Sequence, residues 1–257
     1  MSLLTTLKQR APLAILAMVL GPLIIFYTPS WFVLALSGVA IVILWQEWEK
    51  MLFLRHKFFY WLVIAGVMGG SLIVEKETIN FLILGGFIFC LVTTVFILHN
   101  KNVSVFLTKI YGVSATLLIW LSLLMLIPSP SKLLFALAWT IGMDGAGLIV
   151  GKLVGKIPLA VQISPQKTIE GALAGLVFSL FMIKLGAFYD ISFFGPYPYF
   201  MGVFVWLMAV AGDLVESRVK RISHIKDSGN CLPGHGGMAD RLDSMAMALP
   251  FILMMVV

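Results

Sequence analysis

Residues 80–98 read NFLILGGFIFCLVTTVFIL, nineteen positions without one charged side chain. As an α-helix this stretch is about 28 Å long, close to the roughly 30 Å hydrocarbon core of a bilayer. Outward from it, further apolar stretches occupy 11–28, 31–46, 58–74, 108–127, 133–151, 170–188, 199–216 and 241–257. The reading is an all-α, polytopic integral membrane protein of nine transmembrane helices. The second and last stretches are short, and the first two are divided mainly by Thr28-Pro29-Ser30. Composition agrees: 60% of the chain is hydrophobic and 12% charged, with a mean hydropathy of +1.02. Water-soluble domains carry about 25% charged residues, so that class is excluded. Lys8 and Arg10 before the first apolar run resemble a secretory leader. No small-residue cleavage site follows, so the run is read as a retained span.

Charge gives the orientation. With the N-terminus inside and nine crossings, Lys8, Arg10, Lys50, Arg55, Lys57, Lys101, Lys109, Lys152, Lys156, Lys167, Arg218, Lys220, Arg221, Lys226 and Arg241 face the cytoplasm, 15 of the 18 basic residues. Basic residues collect on that side of a membrane, so N-in, C-out is expected. The same bias accounts for the net charge of +6 without nucleic acid. The two cysteines, Cys90 and Cys231, form no CxxC pair. Cys231 and His235, with His224 nearby, fall short of the four ligands of a structural zinc site.

Polarity divides one membrane domain into two halves. Residues 1–135 are spans with short loops, whereas 136–257 hold the chemistry-bearing loops. Eight of the twelve acidic residues lie between 140 and 244, and all of these but Asp190 fall at cytoplasmic positions. In GDLVESRVKR (212–221), Asp213, Glu216 and Lys220 share one helix face. A solvated interfacial pair would explain Glu216 and Lys220, but Asp213 has no basic residue before it on that face. A carboxylate inside a span costs about 2.5–3.5 kcal/mol or more. In KDSGNCLPGHGGMADRLDS (226–244), Asp240 and Asp243 open the last span. Helix capping accounts comfortably for one of them. Together with Asp213 they would form an oxygen-rich site suited to Mg²⁺. Gly234, Gly236 and Gly237 around His235 let backbone approach a ligand closely. Arg218, Lys220, Arg221, Lys226 and Arg241 could hold phosphates, although the positive-inside bias explains some of them.

Two further elements remain. MDGAGLIVGKLVGK (143–156) is not a phosphate-binding Walker loop, and its Gly147, Gly151 and Gly155 suit close helix packing. That leaves Asp144, expected to be buried about two turns from the surface. In ISPQKTIEG (163–171), Thr168 is the expected N-cap of the seventh span, with Glu170 in its first turn, and Lys167 is a candidate phosphate contact. Glu47-Trp48-Glu49 reads as an interfacial anchor after the second span.

From Ser217 to Asp243 the chain reads S-x-V-K-R-x₄-K-D-x-G-x₂-L-P-x-H-G-G-M-x-D-R-L-D. This resembles the signature of the phosphatidate cytidylyltransferases (CDP-diacylglycerol synthases), membrane enzymes of phospholipid synthesis. SPQKTIEG is similar to that family's S-P-K-K-T-x-E-G element, with Gln166 in place of a lysine. MDGAGLIVGKLVGK is similar to its D-T-G-A-Y-x-x-G-[RK]-x-x-G-K element, with Gly145-Ala146-Gly147 in place of the usual order. The resemblance implies condensation of CTP with phosphatidate to CDP-diacylglycerol and pyrophosphate, with Mg²⁺, a second cation being left open. It implies metal binding by Asp213, Asp240 and Asp243, and catalytic roles for these with Lys220 and Lys226. It also implies substrate contacts from Asp144, Ser164, Lys167, Glu170, Ser217, Arg221, His235, Gly236, Gly237 and Arg241. From the chain's size, its short loops and the asymmetry of its basic residues, the expected location is a bacterial inner membrane with the site facing the cytoplasm, and a homodimer is left open. The rival readings are a CTP-dependent kinase of a lipid alcohol and an ion-binding transporter.

Overall fold

The computed structural model describes residues 18–52, 57–100, 103–189, 191, 197–225, 227–229 and 237–256. The elements in chain order are α1 (Met18–Tyr27), α2 (Ser30–Met51), α3 (Lys57–Gly70), α4 (Lys76–His99), α5 (Val105–Leu126) and α6 (Pro130–Val154). They continue as β1 (Pro158–Ala160), β2 (Ser164–Thr168), α7 (Ile169–Phe188), α8 (Pro198–Ile222), α9 (Ala239–Leu242) and α10 (Met245–Val256). The chain is an α-helical membrane protein: α2, α4, α5, α6, α7 and α8 are each long and apolar enough to cross a bilayer. Helices α1 and α3 are apolar but shorter.

The expected final span over 241–257 is two helices in the structure. The break lies at Asp243-Ser244, where the Asp243 carboxylate accepts the N–H of Ser244 at 2.8 Å and Ser244 Oγ turns to Asp144. The following helix, α10, does not face lipid along its length. Met247, Ala248, Leu249 and Ile252 have no exposed surface, because α4, α5 and α8 enclose them. One short antiparallel hairpin, β1–β2, joins α6 to α7. Its strands end where Thr168 caps α7, its Oγ1 accepting from Gly171 N at 3.2 Å, as the sequence led one to expect.

Small residues set the helix spacing around the site. A Cβ on Gly171 of α7 would lie 2.7 Å from the Gly147 carbonyl of α6, so these two backbones touch. This is the close packing anticipated for the 147/151/155 glycines. Polar cross-links complete the α6–α7–α8 layer. Trp139 Nε1 donates to Ser179 Oγ at 2.9 Å, and Ser179 Oγ donates to the Gly202 carbonyl at 2.6 Å. Away from water such bonds have no competitor, and each leaves a buried group satisfied. On the other side, Trp48 of α2 meets Tyr111 of α5 edge-on, and Gly112 leaves room for its ring.

Helix α2 also overturns one expectation. Glu47 and Trp48 are not an interfacial anchor: both are 4% exposed and belong to the protein interior. The helix runs past the expected end at 46 to Met51, and Trp48 in its last turn packs on Tyr111 and Gly112 of α5.

Candidate active site

Four elements converge on one acidic cluster. Asp144 comes from the middle of α6, Lys167 from β2, Asp213 from α8, and Asp243 from the turn between α9 and α10. Gly212 permits the approach of the last two elements, since a Cβ there would lie 2.5 Å from the Asp243 carbonyl oxygen. Lys167 forms an ion pair with Asp213. Ser244 Oγ donates to Asp144 Oδ2 at 2.6 Å. Asp213, Glu216 and Asp144 all act on the Asp243 carboxyl through space. Asp144 keeps exposed protein surface at this cluster. Ile141 and Leu148, a turn away on the same side of α6, are exposed as well.

Beside this cluster lies a second, organised by Lys220. Its ammonium sits 2.6 Å from Glu216 Oε2 and 2.6 Å from Asp240 Oδ1. The Glu216–Lys220 pair is therefore made, but it is buried: Glu216 is 1% exposed. Burial opposes ionisation of Asp240, yet Lys220 and the N–H groups of Gly237 and Ser228 outweigh it and hold the carboxyl below the ordinary value of 3.8. These two N–H groups reach Asp240 Oδ2 at 2.8 and 3.1 Å. Asp240 is thus directed at Lys220, Ser228 and Gly237, whereas Asp213 pairs with Lys167 and Asp243 accepts the Ser244 N–H. A cavity of about 10 Å³, space for one water, lies beneath both clusters, lined by Glu216, Asp243, Tyr111 and Trp48 among others.

The remaining anticipated residues occupy varied positions. Ser217 is buried on α8, and Arg241 is half-buried on α9. Ser164 pairs with Ala160 in the hairpin. Glu170 accepts the Ile157 N–H through both carboxylate oxygens, at 3.2 and 3.3 Å, and so ties α7 to the start of the hairpin. Arg221 is exposed and donates from Nε to the Ile163 carbonyl at 3.2 Å, holding the hairpin turn against the end of α8. Gly237 is buried at the edge of the glycine-rich loop. Lys226, His235 and Gly236 lie outside the described residues. Sequence reasoning passed over Glu47, Ser228 and Ser244. The only available signal was the placement of a carboxylate at the end of an apolar stretch, and that pattern belongs equally to an interfacial anchor.

Among the described residues, no three His, Cys, Asp or Glu side chains already form a cation cage. The donor chemistry nevertheless suits a hard cation, since the groups around Asp213 are carboxylate and hydroxyl oxygens, while the Lys167 ammonium that now occupies Asp213 suits a phosphate. Combined with an exposed face on α6, the arrangement can gather a polyanionic ligand beside a lipid-facing surface.

The family model described as "Cytidylyltransferase family" matches residues 8–257. Curated relatives named phosphatidate cytidylyltransferase are similar over shorter stretches. The protein of Bacillus subtilis is 42% identical over 113 residues, covering 42% of this chain and 41% of the relative. That of Synechocystis is 39% identical over 131 residues, covering 49% and 42%. That of Staphylococcus aureus is 42% identical over 120 residues, covering 46% and 45%. The matches span less than half the length of these relatives.

Proposed function

We propose that this chain, which belongs to the cytidylyltransferase family, condenses CTP with phosphatidate to give CDP-diacylglycerol and pyrophosphate. The observation that carries the reading is the convergence of Asp144, Lys167, Asp213 and Asp243 from four separate elements, beside an α6 face open to the surroundings. Relatives named for this activity support it. We place the site on the cytoplasmic side of a bacterial inner membrane, with nine crossings and the N-terminus inside, on the asymmetry of basic residues.

The chemistry asks for no covalent protein intermediate. A phosphate oxygen of phosphatidate attacks the α-phosphorus of CTP, and the bond from that phosphorus to the bridging oxygen of the β-phosphate breaks, so pyrophosphate leaves. Asp213 and Asp243, with Asp144 and Asp240 nearby, would hold Mg²⁺. Bound there, the ion would supply neutralising charge to the phosphates. Lys167 is positioned to exchange its carboxylate partner for a phosphate oxygen, bringing a positive charge to the reacting centre. Lys220 keeps Asp240 ionised and fixed, so Ser228 and Gly237, whose N–H groups it accepts, are preorganised before substrate arrives.

The test is direct. The purified protein in detergent is given Mg²⁺, phosphatidate and CTP labelled at the α-phosphate. Label should enter a chloroform-soluble lipid with release of pyrophosphate, and Asp213→Asn or a chelator should abolish it. Label remaining in aqueous CDP while a lipid alcohol gains phosphate would replace this reading with a kinase.

A further inference from the structure

Glu47 lies far from the motif residues in sequence, yet it ends beneath both shoulders of the glycine-rich loop. Its Oε2 accepts from Ser228 Oγ at 3.0 Å and from Ala239 N at 2.8 Å. The loop is shaped to admit it. A Cβ on Gly229 would sit 2.6 Å from Glu47 Oε1, and a Cβ on Gly237 would collide with Ser228 Oγ and Glu47 Oε2. Asp240 grips the same shoulders from another side through the N–H groups of Ser228 and Gly237. Two carboxylates, the buried Glu47 and the half-buried Asp240, one from each half of the chain, therefore set the separation between Ser228–Gly229 and Gly237–Ala239. A carboxylate this buried, at 4% exposure, is costly unless its lone pairs are used. Here they are used on the loop.

We propose that Glu47 is a positioning residue for nucleotide binding: it fixes Ser228–Gly229 against Gly237–Ala239, and with them the N–H groups that hold Asp240 beside Lys220. The kinetic part of this proposal rests on the cytidylyl-transfer reading; the structural part does not. Glu47 acts through hydrogen-bond acceptance, so a glutamine, whose amide oxygen can accept both bonds, should replace it, and an alanine should not.

The experiment compares full-length wild type, Glu47→Ala, Glu47→Gln and Ser228→Ala in detergent, by steady-state kinetics and by amide hydrogen exchange. Glu47→Ala should raise KM for CTP about tenfold or more, the loss expected when two hydrogen bonds to one buried acceptor are removed. KM for phosphatidate should stay unchanged. Exchange should accelerate in peptides carrying residues 237–239, and Glu47→Gln should stay near wild type in every readout. An unchanged KM for CTP with unchanged exchange in Glu47→Ala would overturn the proposal, and so would a glutamine variant as impaired as the alanine one. Should Glu47→Ala fail to fold, Ser228→Ala removes one donor alone and should shift the same two readouts in the same direction; no shift overturns the proposal. Should the wild type transfer no cytidylyl group, the functional reading falls while the exchange comparison alone decides the role of Glu47.

Discussion

Replacing Lys220 with methionine isolates the electrostatics of the second cluster. The lysine side chain is 11% exposed and lies 2.6 Å from each of two carboxylates, whose side chains are 2% and 14% exposed. At an effective dielectric near 20, charges at that separation attract by about 6 kcal/mol per pair, before desolvation is subtracted. Methionine preserves most of the stem's packing but leaves Glu216 and Asp240 with no cation between them. Removing one partner of a buried ion pair costs about 3–5 kcal/mol. For a chain of this size each kcal/mol moves Tm by about 2–4 °C, so Lys220→Met should melt roughly 6–20 °C below wild type. Tryptophan fluorescence during heating in detergent micelles reads this without reference to activity. The double variant Glu216→Gln/Lys220→Met strands one charge fewer and should recover a substantial part of the loss. A Lys220→Met melt within about 2 °C of wild type would refute the reasoning, and a double variant no better than the single one would do the same.

Two further expectations concern the frame around the site. Gly171→Ala forces a methyl against the Gly147 carbonyl at 2.7 Å and should cost about 1–3 kcal/mol by separating α6 from α7. Gly85→Ala on α4 meets nothing within 4 Å and should be neutral or stabilising by up to about 1 kcal/mol, so melting the two variants side by side checks the packing argument. The Asp240 carboxyl is held below its ordinary value of 3.8, so it contributes stability above that value and loses it as pH falls through the lower folded one. The difference in Tm between wild type and Asp240→Asn should therefore be full at neutral pH and shrink in acid below about pH 4. A difference independent of pH would contradict it.

The membrane class was legible because a charge-free run such as 80–98 has few other outcomes: backbone hydrogen bonds must close within the segment when no water is present. Local chemistry was legible as well. Thr168 caps α7 because an N-cap is a contact between neighbours in sequence, and the Glu216–Lys220 pair forms because four residues make one helical turn. The glycines of α6 and α7 announced their close approach. Sequence alone also grouped Asp213, Asp240 and Asp243 as acids of one region, without saying how they divide. Tertiary structure decided that Asp240 joins Lys220, Ser228 and Gly237, while Asp213 pairs with Lys167 and the Asp243–Ser244 turn reaches Asp144. It also turned Glu47 from a surface residue into an interior one. The physical reason is the same in each case. A carboxylate's partner is whichever donor the packing delivers within about 3 Å, and Glu47 receives its donors from residues 181 and 192 positions away. No local pattern carries that distance; only the arrangement of α2 against the loop and α9 does.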